Sequence, residues 1–212
     1  TIESSPGVGL AGINYFTLGA ESLPTATITS GDASICDDGS SVTLNIELTG
    51  TGPWTLKYLI NGAYETTVNN IATSPYTLVV SNALPALATG GPGTYTFTVS
   101  YVSDATGSTG IRDFTTGAVI TLNLTPSPVI SGLTTTPAGS LVTYSTPQVD
   151  GIIYQWSVTG GSIQSGQGTH AVQILWGPGP AGSVVLEETA VSGGCSAVTD
   201  PYPVSLTDIP DP

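Results

Sequence analysis

Apolar residues at every second position recur along this chain from residue 25 onward. Val42, Leu44, Ile46 and Leu48 alternate with Thr43, Asn45 and Glu47, the period-2 pattern of a strand with one buried face. Trp54, Leu56, Tyr58 and Ile60 repeat it, and Asn61-Gly62, the strongest hairpin signal in the chain, predicts a return strand from Ala63 to Val68. A strand near Thr25 to Thr29 opens this set, and Leu78 and Val80 mark a fifth strand. The stretch from Asn82 to Gly93 reads as a long crossing loop. Tyr95, Phe97, Val99 and Tyr101 alternate on a sixth strand, and Val119 to Leu124 closes the set.

A second set follows a stiff break. In TPSP, Thr125 to Pro128, proline fixes its own φ and restricts the residue before it, so this is the natural boundary. Beyond it come Val129 through Leu141 to Ser145, then Tyr154, Trp156 and Val158 alternating with Gln155 and Ser157. Gly160-Gly161 predicts a hairpin turn, Val172, Ile174 and Trp176 a further alternation, and Val184 to Val191 another strand. A last strand carries Pro201 and Pro203, which predict a sheet edge because proline cannot donate to an internal ladder.

The expectation is an all-β chain of two tandem β-sandwiches, 25–126 and 127–207, with an N-terminal extension over 1–24 and a C-terminal linker over 208–212. The extension carries Ile13, Tyr15, Phe16 and Leu18. It reads as the tail of a preceding unit plus linker, or as a strand making an intersubunit contact with a neighbouring copy.

Composition agrees with strands and turns. The 212 residues include 27 Gly and 16 Pro, and helical runs of Ala, Leu, Glu and Lys are missing. Lys57 and Arg112 are the only fixed cations against fifteen carboxylates, for a net charge of −13. Nucleic acid is therefore not an expected partner, since phosphate binding rests on clustered Lys and Arg. Two cationic residues also leave trypsin-like proteases few sites. No apolar run reaches the length of a membrane-spanning helix, so membrane insertion is not expected. The chain contains no Met and starts at Thr1, which predicts a processed mature chain or an excised fragment.

Candidate chemistry is sparse. His170 is the only histidine, too few for a zinc site, and no G-x-S-x-G elbow or P-loop occurs. Glu187 and Glu188 are neighbours on a predicted strand and point to opposite faces, which rules them out as a glycosidase pair. No catalytic residue and no cofactor are expected. Asp32, Asp37 and Asp38 form the one local acidic cluster, readable as a calcium site or as a solvated acidic turn. Cys36 and Cys195 leave two choices, a pair of free thiols or a bridge within or between chains. Trp54 and Trp156 read as core residues, whereas Trp176, before GPGP, is open to a role in stacking on a sugar. Asn123-Leu124-Thr125 is a formal glycosylation sequon inside a predicted strand.

The phrase YQWSVTGGSIQSGQGTHAVQILWG, Tyr154 to Gly177, and its continuation GSVVLEETAVSGGC, Gly182 to Cys195, resemble the PKD-like, immunoglobulin-type repeats of very large Bacteroidota-type cell-surface proteins. Residues Thr25 to Leu124 resemble a sister repeat through "GPW" and "SPYTL", although the Trp-Asp-Phe-Gly-Asp-Gly signature is absent. In those repeats a cysteine at the place of Cys36 often accompanies one at the place of Ser108, and one at the place of Cys195 accompanies one at the place of Pro137. Each half here keeps one member. The resemblance implies immunoglobulin-like sandwiches and a non-enzymatic extracellular structural or adhesive module, acting as stalk, spacer or filament subunit at a bacterial surface. It further implies type IX secretion, a part in gliding or attachment, and neighbouring repeats or copies of itself as partners. The alternative is a glycan-binding accessory module of a secreted polysaccharide-degrading enzyme.

Overall fold

Alternation becomes burial in two separate places along the chain. A computed structural model describes residues 22–110 and 117–208. The first half contains β1 (Ala26–Ile28), β2 (Ala33–Cys36), β3 (Ser41–Leu48), β4 (Trp54–Ile60), β5 (Tyr64–Ile71), β6 (Tyr76–Ser81), helix α1 (Pro85–Gly90), β7 (Gly93–Ser103) and β8 (Gly117–Asn123). The second contains β9 (Thr135–Pro137), β10 (Leu141–Ser145), β11 (Ile152–Thr159), β12 (Gly161–Ser165), β13 (Ala171–Trp176), β14 (Ala181–Ala190), β15 (Ser196–Val198) and β16 (Tyr202–Thr207). Apart from its one short helix the described chain is all-β.

In the first sandwich a sheet ordered β1-β3-β6 faces one ordered β2-β8-β7-β4-β5. Leu44, Ile46 and Val80 from the former pack with Leu56, Phe97 and Ile120 from the latter in one core. In the second, β10-β13-β12 faces β11-β14-β16-β9, with β15 added to β14. Tyr144, Ile174 and Trp176 meet Trp156, Val184 and Leu186 in a core that shares no residue with the first. The predicted membership of Trp54 and Trp156 in the cores holds, at 8% and 2% exposed.

Four local expectations are corrected. The stretch read as a loop from Asn82 to Gly93 contains α1, which buries Ala86 and Leu87; Pro85 suits its first turn, and Gly91 closes it by donating its N–H to the carbonyl of Leu87. Along β7 the alternation slips, because Lys57 faces Tyr101 while the next residue, Tyr58, faces Val99. Ser100 is the extra residue of a bulge and turns inward, so Tyr101 turns outward under the Lys57 ammonium, 5.9 Å from its ring centroid.

Gly160-Gly161 is not a hairpin. Strand β11 pairs with β14 and β12 with β13, so the chain changes sheets there. Gly160 has φ +81°, and a Cβ on it would stand 2.8 Å from the carbonyl oxygen of Ala181. Finally, β16 is not a plain edge strand, since it lies between β14 and β9. Ser205 donates toward Thr134 and Leu206 toward Pro180, on opposite sides. Pro203 shares the side of Ser205, but β9 pairs only from Ser205 onward, so the missing N–H of Pro203 leaves no ladder bond unmade.

Strand register also fixes where the chain comes in and leaves. Ala26 lies opposite Leu48, and the carbonyl of Thr25 accepts from Thr49, at the pole of the first sandwich away from the linker. Cys36 lies beside Asn123, at the linker pole. In the second sandwich Ala190 accepts from Gly194 and donates to the carbonyl of Cys195 near the junction, while Thr207 lies beside Ala138 at the far end.

Candidate functional site

At the junction between the sandwiches a disulfide, a close glycine contact and a cleft come together. Strands β2 and β8 run parallel to each other and end together there, Cys36 beside Asn123. Asp37 fastens that corner. Its N–H donates to the carbonyl of Asn123 at 2.9 Å, its Oδ1 accepts from the N–H of Thr125 at 2.6 Å, and its carbonyl accepts from Nδ2 of Asn82 at 2.7 Å. From the other side the turn between β14 and β15 reaches over, and Cys195 Sγ is bonded to Cys36 Sγ, with Cα atoms 5.8 Å apart. Of the two choices left open for the cysteines, the structure holds the intrachain bridge and not free thiols.

A second contact crosses the same gap. Gly193, at φ +82°, approaches so closely that a Cβ on it would stand 2.3 Å from Cγ of Asn123. The Asn123 amide cannot swing away freely, because Nδ2 donates to Ser34 Oγ and to the carbonyl of Ile35. The sequon asparagine is thus spent inside the junction.

Beside the bridge lies a cleft of about 890 Å³. One wall is the start of β7 and the end of β8 with the linker, including Leu122, Leu124 and Pro126; the other is the loop 146–152 and the end of β14, including Val149, Ile152 and Val191. Tyr154 pins that loop, its hydroxyl accepting from the N–H of Val149 at 2.8 Å and contacting its carbonyl at 3.2 Å. Glu188 lines the cleft yet is only 5% exposed, and its Oε1 accepts from Thr146 Oγ1 at 3.0 Å. Its neighbour Glu187 projects to the other face, as the strand period requires.

The acidic cluster is not gathered. Asp32 Oδ1 accepts from Val119, Asp37 Oδ1 from Thr125 and Asp38 Oδ1 from Ser40. Asp32 and Asp37 stand at opposite ends of the extended strand β2, five residues apart, which separates them by roughly 17 Å. The backbone N–H and then the hydroxyl of Ser40 hold the Asp38 carboxyl below its ordinary range. Among the described residues no group of three or more His, Cys, Asp or Glu is placed to hold a metal ion. Trp176 is corrected too: at 1% exposed, edge-on to Tyr144 with centroids 5.9 Å apart, it is a core residue and offers no face to a sugar. His170 contributes its carbonyl, which accepts from the N–H of Thr146. Ile13, Tyr15, Phe16 and Leu18 lie outside the described residues.

Gln167, in the Gly166-Gln167-Gly168 turn, has a structural task. Its Oε1 accepts from the N–H of Trp156 at 3.1 Å and its Nε2 donates to the carbonyl of Trp156 at 3.0 Å, mimicking a neighbouring strand at the free edge of β11. The indole Nε1 of Trp156 donates to Thr169 at 2.8 Å. The phrase from Ser165 to Thr169 therefore stitches one sheet to the other.

The architecture defines a tandem of β-sandwich modules, and residues 123–201 match the PKD-like domain family. No curated protein matches the chain. Among solved structures the chain is similar to the fibronectin(III)-like modules of Clostridium thermocellum CbhA, at 12% identity over 87% of this chain and 95% of that chain, with a TM-score of 0.39. It is similar to Dpr11 IG1 bound to DIP-gamma IG+IG2, at 11% identity over 87% and 98%, TM-score 0.36. It is also similar to the Bacteroides ovatus mixed-linkage glucan utilization locus SGBP-B in complex with a heptasaccharide, at 12% identity over 84% and 43%, TM-score 0.28. Among the described residues no helix is long and apolar enough to cross a membrane.

Proposed function

We propose that this chain is a non-enzymatic extracellular structural or adhesive module, a two-sandwich stalk, spacer or filament subunit at a bacterial cell surface. The observation that carries the reading is the covalent fastening of one sandwich to the next at the junction, with the described chain coming in at one pole and leaving at the other. Such a unit transmits position and load and has no need of a catalytic centre. A disulfide persists where the surroundings are oxidising, which supports an extracellular setting. Type IX export and service in gliding or attachment are what the repeat resemblance adds. The partners are neighbouring repeats or further copies of this chain.

Electron microscopy of the native material, together with deletion of residues 1–23, tests this. A filament subunit whose N-terminal apolar set docks on the next copy assembles when intact and stops assembling without that segment, while circular dichroism still reports both sandwiches folded. Normal assembly of the shortened chain rejects docking through the segment. Particles that neither form nor join a filament or stalk reject the reading itself. A glycan array on the intact chain is the control: specific, saturable binding there favours the accessory-module alternative, whose seat is then the cleft and not Trp176.

A further inference from the structure

Position along the chain gives the bridge a role beyond joining two domains. Cys36 ends β2, fourteen residues after Ser22, and Cys195 stands just before β15, thirteen residues before Asp208. Between them lie 159 residues of sequence separation, which hold β3 to β14 and nearly all of both cores. The strands outside this loop run along the path from each pole to the junction: β1 starts at the first pole and β2 ends at the junction, β15 starts at the junction and β16 ends at the far pole.

We propose that the Cys36–Cys195 bridge is an extension limiter. A load applied between the poles passes through β1 and β2, across the sulfur–sulfur bond, and out through β15 and β16, so that everything from Asp37 to Gly194 is bypassed. The proposal rests on the stalk reading only for the source of the load.

Sheet order suits this path. Strands β1 and β2 are each at the edge of their sheet, and β15 pairs only with β14. They can be drawn off without parting the inner pairs β4–β7, β7–β8 and β11–β14. Only β16 carries inner pairing, since it sits between β14 and β9 and places Val204 and Leu206 in the core, which makes it the strongest hold on the load path. Strand pairs are non-covalent and yield first. The bridge does not yield with them, and the loop it closes bears no load.

The lengths are distinct enough to measure. With the bridge closed, only the twenty-seven residues outside the loop can be pulled straight, about 90–100 Å of chain; opening it adds the 159-residue loop, on the order of 520–570 Å more. Optical tweezers on the full chain, with handles attached through azide-bearing residues at positions 22 and 208, read this directly. Oxidised molecules are expected to release no more than the short length. Adding a phosphine reductant at constant force is expected to produce the long step, and the variant C36S/C195S to show it without reductant. Should that variant fail to fold, the reductant arm on the unmodified chain decides alone.

Release of the long length from molecules whose bridge is intact by mass spectrometry overturns the limiter. So does a native chain whose two cysteines are alkylated as free thiols, or a reduced chain that releases only the short length. The stalk reading fails separately, in the micrographs: a limiter demonstrated by tweezers on a protein that forms no stalk or filament leaves the load path standing and removes its proposed use.

Discussion

The side chain of Asn123, on the last strand of the first sandwich, occupies the place where Gly193 of the second would carry a Cβ. The two sandwiches are therefore fitted to each other by more than a linker. A covalent bond, a glycine at positive φ and a triply bonded aspartate meet within a few residues of Pro126.

Replacing Gly193 by alanine is expected to destabilise the chain by about 1–3 kcal/mol, because a left-handed backbone position is strained for any residue with a Cβ and the added methyl meets Asn123. The diagnostic measurement is a double-mutant cycle with Asn123→Ala. Removing the obstructing amide leaves only the backbone strain, so the double variant should be more stable than the sum of the two single losses. Strict additivity would show that the two residues do not touch in solution.

Loss of the bridge lowers stability through the unfolded state. Closing a loop of 159 residues is worth about 5 kcal/mol in the chain-entropy account, and measured native bridges fall in the range of roughly 2–5 kcal/mol. Thermal unfolding of C36A/C195A beside the oxidised protein checks this. An unchanged melting temperature would mean that the sandwiches unfold independently of the bond between them.

Much of this architecture was legible in the residues, and the misses share a cause. Period-2 runs such as Val42 to Leu48 and Trp54 to Ile60 announce their buried face, since it depends only on the strand itself. What depends on a partner is silent. The bulge at Ser100 exists because of how β4 lies against β7, and the sheet change at Gly160 because β12 finds β13 and not β11. Helix α1 is too short for a 3.6-residue period to show. The cysteines are visible but their pairing is not, for nothing in two residues 159 apart says that a turn of one sandwich reaches a strand end of the other. Trp176 misled through its position before GPGP, a context that describes the turn after it and not the core beneath it.

Glu188 and Thr146 form a buried pair in which the hydroxyl donates to the carboxylate. Thr146→Val keeps the shape and removes that donor. It is expected to cost about 1–3 kcal/mol, the penalty for leaving a buried acceptor unsatisfied. Glu188→Gln keeps an acceptor for Thr146 and should cost less. Urea midpoints of the two variants give the order, and the reverse order would mean that water in the cleft already serves the carboxylate.

At the outer pole of the first sandwich, the hydroxyl of Thr106 holds the Asp104 carboxyl below its ordinary range, with backbone N–H groups of Thr51, Thr106 and Ser108 adding to it against desolvation. A depressed carboxylate favours the folded state above its unfolded value, and the benefit disappears as pH falls through the folded value. Thr106→Ala is expected to move the Asp104 titration upward toward 3.8 in carboxyl-detected NMR. No movement would place the cause in the backbone donors alone.

Lys57 and Arg112, the only two residues at which a trypsin-like protease could cut, both fall between Cys36 and Cys195 in the sequence. Cleavage after either one, or after both, leaves the stretch before Lys57 and the stretch after Arg112 joined through sulfur. A nicked molecule therefore still connects whatever lies on its two sides, and its loss of integrity would be seen on a reducing gel long before it was felt as a severed attachment.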